Sequence, residues 1–239
     1  ITRNLYNYQA EKELAFERDA FFFLNGSDSS YLDSFMWLYS GKVVWLPLAV
    51  FIMAVLVYKK NWREYFLIFL SIALVITLCD QFASHVCKPF FSRFRPTHHP
   101  DFMDQVKIVF DYRGGMYGFI SSHAANAFGF ATFMSLLFRY KFFTCSIFTW
   151  SILTSYTRIY LGVHFISDII CGMLAGLFLG YLVYIVYIHI RKKVISETCT
   201  QSSTQLIYSL NNKRLITCSI WISIILLIIF TKPLISLLH

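Results

Sequence analysis

Long apolar runs separated by short polar segments make up most of the chain. A helix needs about 20 apolar residues to cross the hydrocarbon core of a bilayer, and six runs approach that length. They are Val43 to Tyr58, Tyr65 to Val86, Phe119 to Phe138, Phe142 to Tyr160, His164 to Ile190 and Leu215 to Leu238. The sequence therefore predicts an all-α fold, a polytopic membrane helix bundle with about six transmembrane helices.

The N-terminal stretch has a different pattern. From Tyr6 to Leu24, apolar residues are interleaved with charged ones. Such a segment cannot span the bilayer, because each charge near the centre would cost about 3 kcal/mol. We expect an amphipathic helix that lies on the outer interface. A turn follows at Asn25 to Ser30, and Ser30 is expected to cap a second short helix that runs to Ser40 and ends at Gly41.

Composition supports a membrane protein independently of the runs. Of the 239 residues, 57% are hydrophobic, 14% are charged and 25 are phenylalanine, which is more apolar surface than a soluble core of this size needs. Only Arg191 to Arg214 reads as a soluble linker. We predict one domain spanning residues 1–239, with interfacial helices in 1–41, a core in 43–190, and a cytoplasmic linker and C-terminal helix in 191–239.

The chain contains three polar motifs, at residues 88–96, 121–123 and 158–168. Lysine and arginine residues outside these motifs predict the orientation of the chain in the membrane. By the positive-inside rule, the loops that carry them face the cytoplasm. These residues are Lys59, Lys60, Arg63, Arg139, Lys141, Arg191, Lys192, Lys193, Lys213 and Arg214. The polar motifs then all fall on the outer side. The net charge of +8 does not indicate a surface for nucleic acid, because the cations are divided between two sides of a membrane.

Three polar motifs interrupt the apolar sequence: Lys88 to Pro96, Ser121 to His123, and Arg158 to Asp168. One lysine and two arginines offer fixed positive charge and N–H donors that suit a tetrahedral oxyanion, whereas one carboxylate is too few for a metal cage. On a helix, His164 and Asp168 stand at positions i and i+4. The carboxylate can therefore hold one imidazole nitrogen while the other attacks phosphorus.

In this order and spacing, the motifs resemble those of the type-2 phosphatidic acid phosphatase family, whose patterns are Lys-x6-Arg-Pro, Pro-Ser-Gly-His and Ser-Arg-x5-His-x3-Asp. The resemblance covers about Phe22 to His189. The second motif departs from it, since Ile120-Ser121-Ser122-His123 lacks the proline and the glycine, and the third begins with Thr157 instead of serine. Neither change removes a charged or nucleophilic group. The resemblance implies a metal-independent, cofactor-free lipid phosphate phosphatase of the bacterial inner membrane.

Each site residue has an expected role, on which the residue chemistry and the resemblance agree. His164, oriented by Asp168, attacks phosphorus and forms a phosphohistidine. His123 protonates the departing lipid oxygen and later takes a proton from the hydrolytic water. The phosphate is expected to bind to Lys88, Arg95, Ser121, Ser122 and Arg158.

The substrate stays open between two classes of lipid at the periplasmic leaflet, undecaprenyl diphosphate and lipid A. Two other activities use the same scaffold: a lipid-dependent phosphotransferase, and a non-catalytic lipid-binding or transport protein. Transport does not need the paired His164 and Asp168 with a second histidine opposite. A vanadium-dependent haloperoxidase has a similar site, but those proteins are soluble.

Two further patterns concern packing. Gly172, Gly176 and Gly180 form a small-residue face on the fifth span, for which packing within the monomer is favoured and a homodimer is the alternative. Asp80 and Ser84 form a row with Lys88 at spacings of four, which predicts that Asp80 faces the protein interior as a partner for a cation. The six cysteines show no paired spacing, so neither a disulfide nor a zinc site is expected.

Overall fold

The computed structural model describes residues 16–58, 61–195 and 208–238, and this part of the chain is almost entirely helical. Within the described residues, one isolated antiparallel β-bridge pairs Phe94 with Tyr117. The helices are α1 (residues 16–24), α2 (Ser30–Ser40), α3 (Leu46–Val57), α4 (Trp62–Gln81), α5 (Lys88–Phe91), α6 (Ser122–Phe138), α7 (Lys141–Tyr160), α8 (Ile166–Ile195) and α9 (Leu210–Leu238). The predicted all-α fold is confirmed.

Among the described residues, three helical segments are long and apolar enough to cross a membrane. They are Trp62–Phe91, in which a π-helical stretch joins α4 to α5, then α8, and Leu210–Leu237 of α9. The pair α2 and Val43–Val57, bent by 68°, adds a fourth if the two form one crossing. Helix α6 has only 17 residues, and α7 has a basic residue near each end. A membrane helix bundle is therefore confirmed, while the number of six spans stays a prediction.

The small-residue face of α8 packs against α6 within the chain. A Cβ atom added at Gly176 would lie 2.3 Å from the carbonyl oxygen of Ala125, and one at Gly180 would lie 2.4 Å from that of Gly129. Such close approach of two backbones requires glycine. The predicted packing within the monomer is confirmed. Helix α6 also covers Gly172, and a homodimer through this face stays a prediction.

The N-terminal helices pack onto the end of the bundle that carries the three polar motifs. In helix α1, Phe21 is fully buried, whereas Phe16 and Phe23 are exposed. The part of the predicted helix before residue 16 lies outside the described residues. Helix α2 is capped by Ser29, whose side chain accepts from the Leu32 N–H, and not by Ser30 as predicted. The cap is one residue earlier because Ser30 already has helical backbone.

The bundle has two chemically different ends. At one end, Arg191 lies 2.9 Å from Glu64, and Arg139 donates to the Tyr184 hydroxyl, so the start of α4 and the end of α6 meet the last turns of α8. At the other end, the start of α6 meets the start of α8. Arg139 and Arg191 therefore lie at the same end of the bundle, opposite the three polar motifs.

Candidate active site

An extended segment delivers the two arginines of the first motif. The Arg95 N–H donates to the Met116 carbonyl at 3.0 Å, and the Gly118 N–H donates to the Arg93 carbonyl at 2.9 Å. In extended backbone, side chains two residues apart point to the same face. Arg93 and Arg95 therefore both reach the start of α8 from the same side.

Arg95, His164 and Asp168 form a continuous row. One Arg95 terminal nitrogen, Nη1, lies 2.9 Å from His164 Nε2, and His164 Nδ1 lies 3.2 Å from Asp168 Oδ2. A guanidinium can only donate, so Nε2 accepts and keeps its lone pair, while Nδ1 carries the proton that faces the carboxylate. Burial, followed by the charges of Arg95 and Arg158, lowers the pKa of His164 well below its usual range. The ring is thus neutral and its Nε2 is unprotonated, as a nucleophile requires.

Asp168 is fully buried and held on both oxygens. Its Oδ2 also accepts from the Phe165 N–H at 3.0 Å, and its Oδ1 accepts from Arg93 at 2.8 Å. Gly118 covers this pair closely, because a Cβ there would lie 3.0 Å from Asp168 Oδ2 and 3.2 Å from Arg95 Cγ. A larger residue at position 118 would displace the carboxylate or the guanidinium.

The second motif begins helix α6 beside this row. Ser121 is fully buried, its N–H donates to the Asp168 carbonyl at 3.0 Å, and its hydroxyl caps the helix by accepting from the Ala124 N–H. The Ser122 hydroxyl accepts a hydrogen bond from Lys88 Nζ at 2.8 Å. The N-terminus of α6 therefore faces the same space as the lysine, which favours an anion there.

Arg158 is the third cation of the site. It is buried near the end of α7, where it donates to the Ser40 hydroxyl and, at 2.9 Å, to the Tyr112 hydroxyl. The Nε atoms of Arg95 and Arg158 are buried and, within the described residues, have no hydrogen-bond partner. Burial and the charge of Arg158 lower the pKa of Arg95, which means that its charged form lacks compensation. A bound anion would supply that compensation.

Two apolar cavities meet at His123. The larger, about 1010 Å³, lies between the α2–α3 corner and α9, and it reaches Tyr112 and Arg158. The smaller, about 560 Å³, lies among α3, α4, α6 and α7, and Asp80 is on its wall with Ser122. Lys42 lines both cavities. Exposed apolar side chains form parts of the walls, so the cavities are accessible to lipid chains.

The structure brings together all the residues that the motifs predicted. It differs in detail at Ser121, which caps α6, while Ser122 contacts the lysine. The predicted row also forms in part, since Lys88 Nζ lies 3.4 Å from Ser84 Oγ. Asp80 lines a cavity, as expected for a residue that faces the interior. Among the described residues, no group of three or more His, Cys, Asp or Glu could hold a metal ion.

Motif reasoning missed five residues that complete the site: Glu17, Ser40, Arg93, Tyr112 and Gly118. Arg93 had a signal in the sequence, because it stands two positions before Arg95 in a segment that carries three cations. Glu17 and Ser40 had none, since their contacts cross 76 and 118 positions of the chain.

Comparison with known proteins agrees with this geometry. The model of the PAP2 superfamily matches residues 64–192. The lipid A 4'-phosphatase of Porphyromonas gingivalis is 44% identical over 207 residues, which are 87% of this chain and 87% of that protein. The lipid A 4'-phosphatase of Bacteroides thetaiotaomicron is 37% identical over 177 residues, which are 74% of this chain and 79% of that protein.

Two crystal structures are similar in fold. LpxE of Aquifex aeolicus superposes with a TM-score of 0.53 at 26% identity, over 71% of this chain and 94% of that chain. The PAP2-type phosphatidylglycerolphosphate phosphatase of Bacillus subtilis gives a TM-score of 0.55 at 22% identity, over 79% and 88% of the two chains. The second likeness concerns the fold alone. From the matched motifs and these relatives, the chain belongs to the PAP2 superfamily and is an integral membrane lipid phosphatase.

Proposed function

We propose that the chain removes a phosphate from lipid A at the outer face of the membrane, through a phosphohistidine on His164. The observation that carries the chemistry is the row Arg95–His164–Asp168, in which a neutral imidazole keeps a lone pair beside a cation. The relatives named lipid A 4'-phosphatase support the substrate and the 4' position.

The first step transfers the phosphoryl group to the enzyme. Lys88, Arg95 and Arg158 hold the nonbridging oxygens, and the Ser122 hydroxyl and the N-terminus of α6 add donors. His164 Nε2 attacks phosphorus as the bond to the lipid oxygen breaks, and His123 gives that oxygen a proton. The bound phosphate dianion offsets the cations near His123, which favours the protonated imidazole that this step requires.

The second step releases phosphate. Water attacks the phosphohistidine, His123 takes a proton from it, and the bond from nitrogen to phosphorus breaks. Asp168 accepts the hydrogen bond from Nδ1–H throughout, so it stabilises the positive charge that the ring gains when Nε2 is phosphorylated. The fixed cations supply the charge stabilisation that a metal supplies in many phosphoryl-transfer enzymes.

The paired cavities favour a lipid with several chains. His123, near which the leaving oxygen would lie, and Lys42 line both cavities, which otherwise have different walls. A lipid with one long chain would fill one of them, whereas a lipid with several acyl chains can fill both. This favours lipid A over undecaprenyl diphosphate.

A panel of purified lipids tests the substrate. We expect phosphate release from lipid A with loss of the 4' phosphate by mass spectrometry, and at least about tenfold lower kcat/KM on undecaprenyl diphosphate, which corresponds to about 1.4 kcal/mol. Higher turnover of the single-chain lipid would overturn the substrate assignment. Phosphorylated acceptor lipid without free phosphate would identify a phosphotransferase.

The cavity argument has its own test. Ala73→Phe narrows the smaller cavity, whereas Leu74→Phe introduces the same residue one position away, where the side chain does not line the cavity. Ala73→Phe should raise KM for lipid A and leave turnover of a soluble aryl phosphate unchanged. Equal effects of the two substitutions would show that the cavity does not bind the substrate.

Orientation is tested by thiol labelling in a cysteine-free background. Asp104→Cys lies in the loop that carries the first motif, and Ser209→Cys precedes α9 at the basic end; both positions are exposed. With an impermeant reagent on intact spheroplasts, Asp104→Cys should react and Ser209→Cys should not. The reverse pattern would assign the enzyme to the cytoplasmic leaflet.

A further inference from the structure

Arg93 contacts the carboxylate side of the nucleophile pair. Its Nη1 donates to Asp168 Oδ1 at 2.8 Å and to the Ser167 hydroxyl at 2.6 Å. Its guanidinium carbon lies 4.4 Å from the ring centroid of Phe165. Since Oδ2 of Asp168 faces His164, the contact at Oδ1 fixes the rotation of the carboxylate.

Glu17 of α1 holds Arg93 in turn. Glu17 Oε2 accepts from Arg93 Nη2 at 2.7 Å, and Glu17 Oε1 accepts from the Ser167 N–H at 2.7 Å in the first turn of α8. The side chains of Glu17 and Arg93 are only 17% and 21% exposed, so solvent screens this pair less than a surface pair.

An aromatic cluster fixes the position of α1. The ring centroids of Phe21 and Phe165 are 5.6 Å apart, as are those of Phe22 and Phe102. Phe165 is next to His164, and it also packs under Arg93. The helix that carries Glu17 is thus docked on the same turn that carries the nucleophile.

We propose that Arg93 and Glu17 are positioning residues: Glu17 of α1 orients Arg93, and Arg93 orients the Asp168 carboxylate that holds the imidazole of His164. Helix α1 then has a second role besides its contact with the membrane interface, since it completes the support of the active site. The inference rests on the proposed roles of His164 and Asp168.

Steady-state kinetics on an aryl phosphate and on lipid A test the proposal. Arg93→Gln should lower kcat about 10-fold to 100-fold, as loss of a partner that orients an active-site group typically does, with little change in KM. Arg93→Lys keeps the charge but not the fork of donors, so it should recover part of the loss. Unchanged kcat per folded enzyme for Arg93→Gln would overturn the proposal.

A pH profile separates positioning from a purely structural role. The charged groups that face His164 are Arg95, Arg158, Lys88 and Arg93, with Asp168 on the Nδ1 side and the titratable His123 of α6 also close by. Removing the positive charge of Arg93 raises the pKa of His164. The acid limb of the pH profile, which is the fall in kcat/KM at low pH, should therefore move to higher pH in Arg93→Gln. In Arg93→Lys the limb should stay at its wild-type position. A limb that does not move in Arg93→Gln contradicts the proposal.

Glu17→Gln tests the outer contact against a matched control. Asp19→Asn neutralises a carboxylate on the same helix whose side chain is 78% exposed. Glu17→Gln should lower kcat by a smaller factor than Arg93→Gln without an upward shift of the acid limb, because the charge of Arg93 remains. Asp19→Asn should match wild type. Equal kcat values for Glu17→Gln and Asp19→Asn would show that Glu17 does not position Arg93.

Two control measurements, thermal unfolding and the activity of His164→Ala, separate failure of this inference from failure of the proposed function. Thermal unfolding in detergent gives the folded fraction, and if Arg93→Gln does not fold, Arg93→Lys and Glu17→Gln decide the question. If His164→Ala retains wild-type turnover, the proposed function fails. If His164→Ala is inactive and both positioning variants match wild type, only the present inference fails.

Discussion

A buried carboxylate paired with an arginine lies at each end of helix α8, and the two pairs differ in what surrounds them. At the far end, both oxygens of Glu64 accept from Arg191 Nε, at 2.9 and 3.1 Å, and the Tyr187 hydroxyl donates to Oε1 at 2.6 Å. One cation balances one anion there. The pair joins the start of α4 to the end of α8 and leaves no charge to be compensated.

At the near end, Asp168 is paired with Arg93 in the same manner, but it also holds His164. Beyond the histidine, Arg95 and Arg158 each have a buried Nε with no hydrogen-bond partner among the described residues. Positive charge therefore exceeds negative charge at this end. At the far end, where charges balance, the ion pair joins two helices. At the near end, where positive charge is in excess, the same kind of ion pair supports the site that we propose for a phosphate anion.

The largest difference between the two ends should appear in turnover. We expect His164→Ala to lose at least about 10,000-fold in kcat on both a lipid phosphate and an aryl phosphate, because a nucleophile cannot be bypassed. Initial rates on the two substrates measure this. Asp168→Asn, which leaves a poorly oriented imidazole, should fall between His164→Ala and wild type. Aryl phosphate turnover retained by His164→Ala would assign the nucleophile elsewhere.

His123→Ala should separate the two chemical steps. A general acid contributes about 100-fold to 10,000-fold when the leaving group is poor and much less when it leaves as a stable anion. The variant should therefore lose lipid turnover, keep measurable aryl phosphate turnover, and accumulate an acid-labile phosphoenzyme that rapid quench can trap. Equal losses on both substrates would argue that His123 does not protonate the leaving group.

Glu64→Ala should affect stability and not chemistry. Breaking a buried ion pair costs about 3 kcal/mol or more, because it leaves an arginine without its partner. Arg191 is partly exposed, so we expect a value at the low end, seen as a lower unfolding midpoint in detergent. The kcat of the folded fraction should match wild type. A loss of kcat without a loss of stability would show that the two ends are coupled.

The smallest effect is expected from metal removal. Because Lys88, Arg95 and Arg158 hold the phosphate in our proposal, phosphate release should be unchanged in excess EDTA. Vanadate, which can adopt a trigonal bipyramidal geometry with His164 as an apical ligand, should inhibit, and it should raise the unfolding midpoint of the wild type. Activity that returns only when magnesium is added after chelation would contradict the proposal that these three cations hold the phosphate without a metal ion.

The sequence by itself determined the membrane environment and the helical class, and it predicted the reactive groups. Apolar runs near the thickness of a bilayer predict spanning helices because backbone polar groups in hydrocarbon must be satisfied locally. The i, i+4 spacing of His164 and Asp168 predicts their contact because a helix makes these positions neighbours. Both inferences rest on local geometry, which a short segment fixes without help from the rest of the chain.

The tertiary structure alone decided which distant groups support the site. The contacts of Glu17 with Arg93 and of Ser40 with Arg158 join segments 76 and 118 positions apart, and no local rule links such positions. Docking α6 against the glycines of α8 places the Ser121 N–H on the Asp168 carbonyl, so the start of α6 lies beside the turn that carries His164. These outcomes depend on how whole helices pack, because packing sets distances that sequence spacing does not contain.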